Sequence, residues 1–261
     1  MNKSRIRRKP MKSLMIILAL ITALASTALP SYALTGKEII RKTEDAMRGT
    51  SVVGTYLITV KTKLWTRTMK LKAYDQRAGK KSFNEIYEPK KDAGNRFLMI
   101  NKNMWHYVPK LQQTIKISPS MMLQSWMGSD FTNDDIVKES SIEEDYTHTV
   151  TGTATVDGHP CHVILLTPKP DAAVVWGKII YSVRQSDYLP VREEFYNEHN
   201  VLKRVMTFGQ FKKMDDRVIP TLWKMQTVSK PEAHTILEIA SIRFNTAIPS
   251  RTFTMQNLTR K

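Results

Sequence analysis

The sequence predicts a mainly β protein with a few helices, in which a meandering, strongly curved antiparallel sheet holds one helix in its concave face. Three observations carry this. From Val52 onward, apolar and polar residues alternate with period two in a dozen or so short runs separated by turn residues. A single amphipathic helix stands before the first run and needs a surface to lie on. There is no strand–helix–strand rhythm, and only one Met-rich insertion with helical spacing breaks the series.

The chain opens on a segment that reads as an export signal. Lys3, Arg5, Arg7, Arg8, Lys9 and Lys12 form a basic run without an acid, Leu14 to about Leu24 are apolar, and Pro30 precedes Ser31-Tyr32-Ala33. This order predicts a secretory signal peptide over residues 1–33, cleaved after Ala33, with Met1 or Met11 as the start. A transmembrane anchor is the competing reading, but the apolar part falls short of the roughly 20 residues that span a bilayer. No cysteine lies near the cleavage point, so the expected product is soluble and not lipidated. Processing removes six cations and no anion, taking the formal charge from +16 to +10 over the remaining 228 residues. That length suits one domain, 34–261. For an exported protein the cation excess points away from nucleic acid and toward anionic membrane surfaces, or else to a merely solvated basic surface. Cys161 has no second cysteine to pair with and reads as a buried strand residue.

Thr35-Gly36-Lys37-Glu38 is a capping box, and Ile39, Ile40, Thr43, Ala46 and Met47 follow at helical spacing until Gly49. The first strand puts Val52, Tyr56, Ile58 and Val60 on one face. In the second, Trp65, Met69, Leu71 and Ala73 face one way and Thr66, Thr68, Lys70 and Lys72 the other. Further strands are expected at 81–87, 96–101, 104–108 and 113–117, then at 147–156, 161–167, 178–184, 191–196, 202–211, 218–228 and 235–244. Asp157-Gly158, Glu198-His199-Asn200 and Asp215-Asp216 supply turns. Leu71 and Leu165 read as strand residues deep in the core.

Ser118-Pro119 starts the insertion with a capping serine and a first-turn proline. A helix from there to Gly128 puts Met122, Leu123, Trp126 and Met127 on one arc, with Met121 outside it. Thr132-Asn133-Asp134-Asp135 then starts a second short helix running to about Glu139, its acids at the positive end. Methionine adapts to apolar ligands of variable shape, so a Met-rich helix pair over a half-open sheet reads as a lid on an apolar cavity. The candidate cavity and lid residues are Trp65, Trp105, Tyr107, Met121, Met122, Leu123, Trp126 and Met127, with plain core packing as the alternative for each. Lids belong to the low-stability part of a fold. Polar replacements at Trp126 and Met127 are therefore expected to cost ligand affinity and little stability.

Catalytic signatures are missing. The sequence has no Gly-rich phosphate loop, no Gly-x-Ser-x-Gly, no His-Glu-x-x-His and no Cys-x-x-Cys. His159-Pro160-Cys161-His162 comes nearest to a metal motif, but its two histidines fall on opposite faces of a strand. Asp134-Asp135, Glu143-Glu144-Asp145 and Glu193-Glu194 sit at helix starts, turns or alternating faces, which forces no two carboxylates into acid/base geometry. No enzyme, metal or cofactor is expected.

Four strings in the first half carry a family resemblance: Gly94-Asn95-Arg96-Phe97-Leu98-Met99, Met104-Trp105-His106-Tyr107-Val108-Pro109, Ile115-Lys116-Ile117-Ser118 and Gly128-Ser129-Asp130-Phe131-Thr132-Asn133-Asp134-Asp135. Leu189-Pro190-Val191-Arg192, Glu194-Phe195-Tyr196, Leu202-Lys203-Arg204 and Ile248-Pro249-Ser250-Arg251-Thr252-Phe253-Thr254 continue it. Together they resemble the outer membrane lipoprotein-sorting proteins, a group similar to the periplasmic carrier LolA, over nearly all of 35–258. The resemblance implies an incomplete β-barrel wrapped round the N-terminal helix with a helical lid, a hydrophobic cavity for acyl chains, and a Gram-negative periplasm. LolA carries an Arg-Pro pair whose arginine serves lid movement. Asp75-Gln76-Arg77-Ala78 lacks that proline, so the resemblance assigns no lid role to Arg77 and leaves the point open. The group is longer and more basic than LolA, which leaves its cargo as lipoprotein or another envelope lipid.

The expected function is a carrier that shuttles acyl chains toward the outer membrane, docking transiently to partners at the inner and outer membranes. The alternatives are an envelope sensor or scaffold that binds a lipidated signal or partner protein, and a structural protein that fills its own cavity. No second domain is visible in the sequence, which favours the carrier.

Overall fold

Helix α1 (Gly36–Arg48) starts where the capping box predicts. The Glu38 amide donates to the Thr35 hydroxyl at 3.2 Å, the Thr35 amide donates to the Glu38 carboxylate at 2.8 Å, and Gly49 at φ 59° ends the helix. This computed structural model describes residues 34–101, 103–138, 142–172 and 174–260. The predicted signal peptide (1–33) and Glu139, the expected end of the second insertion helix, lie outside the described residues.

Among the described residues there are thirteen strands: β1 (Ser51–Lys61), β2 (Thr66–Gln76), β3 (Lys81–Glu88), β4 (Arg96–Ile100), β5 (Asn103–Val108), β6 (Gln113–Ile117), β7 (Tyr146–Val156), β8 (His159–Pro168), β9 (Lys178–Arg184), β10 (Pro190–Tyr196), β11 (Leu202–Met214), β12 (Arg217–Thr227) and β13 (His234–Phe244). Every expected strand is there, with ends shifted by a few residues. They form one antiparallel sheet in the order β6-β5-β4-β3-β2-β1-β13-β12-β11-β10-β9-β8-β7. Only the β1–β13 pairing joins strands distant in sequence. The sheet does not close into a barrel, and β6 and β7 are its edges.

Alternation decides the inner face. Ile58, Met69, Leu71, Ile164 and Leu166 are buried in one cluster with Ile39 and Ile40 of α1, so the helix meets both halves of the sheet. Full burial of such a side chain contributes about 1.5–3 kcal/mol, which holds a short helix that would be marginal alone. Gly36 makes the seating possible. A Cβ there would lie 2.8 Å from the His148 carbonyl oxygen, so the first turn of α1 rests directly on the β7 backbone. Leu165 is not in this core. It is half-buried and points the other way, while Ile164 and Leu166 hold the inward positions of β8.

The insertion differs from expectation. The continuous helix from Pro119 to Gly128 is replaced by two 3₁₀ turns, Pro119–Met121 and Trp126–Gly128, followed by α2 (Asn133–Lys138) and α3 (Ile142–Asp145). Ser125 bridges Thr132, and the Trp126 amide donates to the Phe131 carbonyl at 2.8 Å, which folds 125–132 into a tight loop. Met127 sits in the left-handed region at φ 52°, ψ 28°. The arc predicted for one helix face therefore comes apart. Trp126 is 2% exposed in the main cluster, Leu123 is 59% exposed, and Met121, Met122 and Met127 are half-buried against the cluster.

The opposite face of β3–β5 has its own cover. Phe253 and Leu258, from the 3₁₀ turn Ser250–Phe253 and α4 (Met255–Leu258), pack on Phe83 and Leu98. On the inner side of β5, His106 stacks on Phe97 at 4.2 Å and its Nε2–H donates to Asn95 Oδ1 at 2.8 Å. Burial lowers the His106 pKa from 6.5 to about 4. The unfolded chain takes up this proton near pH 6.5 and the folded chain only near pH 4. Stability should therefore be complete above pH 6.5, decline as pH falls, and level off below about 4. The expected loss, allowing for partial exposure, is on the order of 2–3 kcal/mol in denaturant melts. His106→Gln should flatten that part of the curve; an unchanged slope would place the titration elsewhere.

Candidate functional site

Between α1, α2 and the concave face of the sheet lies apolar space in two lobes. The first has a volume of about 170 Å³ and runs under β9–β11 past Ile179, Tyr181, Phe195, Met206 and Phe208, with Phe131 and Trp176 beside it. The second has about 150 Å³ and lies over β1–β4 and β12–β13, against Leu71, Ala73, Met99, Trp126, Ile239 and Ile242. Met47, Arg48, Ile58, Ile136, Trp223 and Leu237 line both lobes and form the wall between them. An engineered apolar cavity of about 150 Å³ holds one benzene. Each lobe alone is therefore ring-sized, and an extended chain has to occupy both.

The charged groups at this space are paired. Arg48 Nη2 donates to both carboxylate oxygens of Asp75 at 2.8 Å, and Nη1 lies 3.6 Å from Glu44 one turn back on α1. On the other side, Asp135 of α2 takes Arg204 Nη1 at 2.6 Å and Nη2 at 2.7 Å. Nη1 also donates to the Asp130 carbonyl at 2.9 Å, and the guanidinium stacks over Trp176 at 4.5 Å. Asp130 accepts from the hydroxyls of Thr227 at 2.9 Å and Thr235 at 2.8 Å. The Gly-Ser-Asp-Phe-x-x-x-Asp string is thus a clamp, whose two acids tie the insertion to β11, β12 and β13. Removing a buried partner from such a pair leaves a stranded charge, which is why the pair holds α2 in place.

Of the eight residues singled out in the sequence, Trp126 is the one that lines the space. Its indole Nε1 has no acceptor among the described residues. Met121, Met122 and Met127 pack behind it without lining either lobe, and Leu123 faces out. Trp105 and Tyr107 belong to the opposite face, against the Phe83–Leu98 cluster, because inward Met104 and His106 fix the phase of β5. Trp65 stands 45% exposed in the β1–β2 turn, stacked with Arg67 at 5.5 Å. Arg67 reaches the Trp126–Gly128 turn of the insertion, donating to the Met127 carbonyl. Arg77 pairs with Asp45 of α1 and, at 3.5 Å, with Glu143 of α3, away from that turn. Sequence reasoning missed Ile136 and Leu237 as shared walls. Leu237 fell within the expected strand 235–244 without being assigned to a face, and nothing in the sequence showed where α2 would lie.

His159 meets the Phe211 ring edge-on at 5.2 Å and His162 stacks on Tyr188 at 6.5 Å, while burial raises the pKa of the Cys161 thiol between them. No group of three or more His, Cys, Asp or Glu among the described residues is placed to hold a metal ion. No helix among the described residues is long and apolar enough to cross a membrane.

Residues 78–260 match a protein family whose description reads "-like: Uncharacterized protein". The chain belongs to that family. Its fold is LolA-like. A LolA superfamily protein from Nitrosomonas europaea is 21% identical, with a TM-score of 0.73 over 86% of this chain and 100% of its own. A domain described as an outer membrane lipoprotein-sorting protein from Vibrio parahaemolyticus is 21% identical, with a TM-score of 0.76 over 86% and 98%. A DUF1329 family protein from Desulfovibrio piger is 20% identical, with a TM-score of 0.79 over 85% and 97%. No curated protein matches the chain in sequence. The match covers nearly the whole length of each of these three structures.

Proposed function

We propose that this protein is a carrier that encloses the acyl chains of a lipoprotein or another envelope lipid and moves them toward the outer membrane. The observation that carries the proposal is the two-lobed apolar space under α1 and α2, divided by a wall to which the insertion contributes Ile136. Burying an acyl chain is worth about 0.8 kcal/mol per methylene, enough to load a carrier once the lobes join. Swinging α2 aside joins them, and the Arg204–Asp135 pair resists that motion. The Trp126 N–H offers a hydrogen bond to an ester or amide carbonyl at the head of a chain. The LolA-like neighbours, one described by its lipoprotein-sorting group, support the same reading. It includes export, processing after Ala33, release into a Gram-negative periplasm without lipid attachment, and brief docking to partners at each membrane.

Native mass spectrometry of protein from a periplasmic extract, before and after lipid extraction, reads processing and cargo together. A chain beginning at Leu34 with an extractable lipid is expected. Leu237→Trp, which fills the wall between the lobes, should weaken displacement of a fluorescent fatty acid by at least about tenfold. Lipid-free protein that also fails to displace the probe would sink the carrier reading.

A further inference from the structure

We propose that the loops around the β1–β2 turn form the surface on which this protein lies against an anionic bilayer, whatever the cavity carries. Thr62 locks the turn: its hydroxyl accepts from the amides of Leu64 at 3.3 Å and Trp65 at 3.1 Å, and its own amide donates to the Trp65 carbonyl at 2.9 Å. The rigid tip displays Leu64, 89% exposed, and Trp65, 45% exposed, between Lys61, Lys63 and Arg67. The turn backbone that carries this pair is already held by these bonds before it meets a membrane.

The neighbouring loops extend the same chemistry. Arg67 lies 3.7 Å from Asp92, which joins the tip to the 89–95 turn with its exposed Lys90 and Lys91. A Cβ on Gly94 would sit 3.4 Å from Pro109, which places the 109–112 turn next along, bearing Lys110 and Leu111, 59% exposed. On the other flank Lys63 lies 3.7 Å from Glu232 in the 228–233 turn, which exposes Val228 and Lys230. The exposed acids nearby, Glu88 and Glu232, already face Lys70 and Lys63, so the surplus charge is cationic.

Several features select a bilayer over a protein partner. The apolar side chains stand at separate loop tips rather than in one groove, the aromatic is tryptophan, and lysines ring it with stems long enough to keep their charges at the headgroups. Each lysine near an anionic surface adds attraction that salt weakens.

The test is cosedimentation of the Leu34–Lys261 unit with vesicles of phosphatidylglycerol and phosphatidylethanolamine, with phosphatidylcholine vesicles as the control. Binding to the anionic vesicles that falls as salt rises is expected. Leu64→Ser with Trp65→Ser should cut partitioning by at least about tenfold, and Lys63→Glu with Lys91→Glu and Lys110→Glu should do likewise. Val218→Ser with Met255→Ser, exposed apolar residues outside these loops, should change nothing. All are surface positions, and a thermal melt of each variant confirms that it folds. Wild-type protein that stays in the supernatant, or a Leu64/Trp65 variant that binds as well as the parent, overturns the proposal. Protein that ignores vesicles yet displaces a fatty-acid probe sinks this surface and leaves the carrier reading standing.

Discussion

Trp126→Ala should destabilise the fold by about 3–5 kcal/mol in denaturant melts, the opposite of what a ligand-serving lid residue would show. Trp126 is 2% exposed, tilted against Phe97 at 5.2 Å between ring centres, and part of the main core. Its removal opens a cavity continuous with the second lobe. The same residue also carries a buried donor without an acceptor among the described residues, and such a group costs about 1–3 kcal/mol. Trp126→Phe keeps most of the ring volume and drops the donor, so its stability should stay within about 1 kcal/mol of the parent. If a cargo carbonyl takes that N–H, Trp126→Phe should nonetheless weaken an ester ligand by roughly tenfold. A Trp126→Ala protein as stable as wild type would show that the segment is a lid after all. Unchanged ester affinity in Trp126→Phe would remove the hydrogen bond from the binding account.

Arg204→Ala should cost a similar 3–5 kcal/mol, because it leaves the Asp135 carboxylate beside the core without its partner. The two side chains are 5% and 14% exposed, and the guanidinium also lies over Trp176 and Phe195. Asp135→Asn in the Arg204→Ala background should recover part of the loss, since a neutral amide is cheaper to leave there than a charge. The loosened α2 should meanwhile exchange a fluorescent fatty acid faster, as the wall bearing Ile136 swings more freely. An Arg204→Ala cost under about 1 kcal/mol would mean that water reaches the pair.

The sheet was legible because its physics is local. Period-two alternation and turn residues mark all thirteen strands, and the Thr35–Glu38 capping box marks α1 to the residue. The depth of each face was not legible. β4 reads Arg96-Phe97-Leu98-Met99-Ile100, apolar on both faces, because Leu98 is covered from outside by Phe253 and Leu258, which lie at the far end of the chain. The same outer layer takes Trp105 and Tyr107 away from the cavity. The insertion defeated helical periodicity because a bridge between Ser125 and Thr132 and a left-handed Met127 outweigh the weak preferences of a ten-residue segment. The clamp was visible only as a string of letters. Its meaning lies in Arg204 reaching Asp135 across 69 positions, a pairing no spacing rule reveals. Parity puts Trp65 on one face with Met69 and Leu71, but it precedes the strand, where alternation no longer applies.

The β1–β13 pairing has a bearing on how the chain reaches this state. Eleven of the twelve strand pairings are made by simple hairpins or short connections within β1–β6 and β7–β13, each able to zip as soon as both strands exist. The seam joining the two meanders is different: Val52 pairs with Phe244, so the first strand synthesised waits for the last. Until β13 arrives, β1 keeps a bare row of amides and carbonyls on one side, in a nascent chain whose apolar inner face is still uncovered. Assembly is therefore governed by the C-terminus, and a chain cut short anywhere before β13 loses the junction between its two halves rather than one strand from an edge.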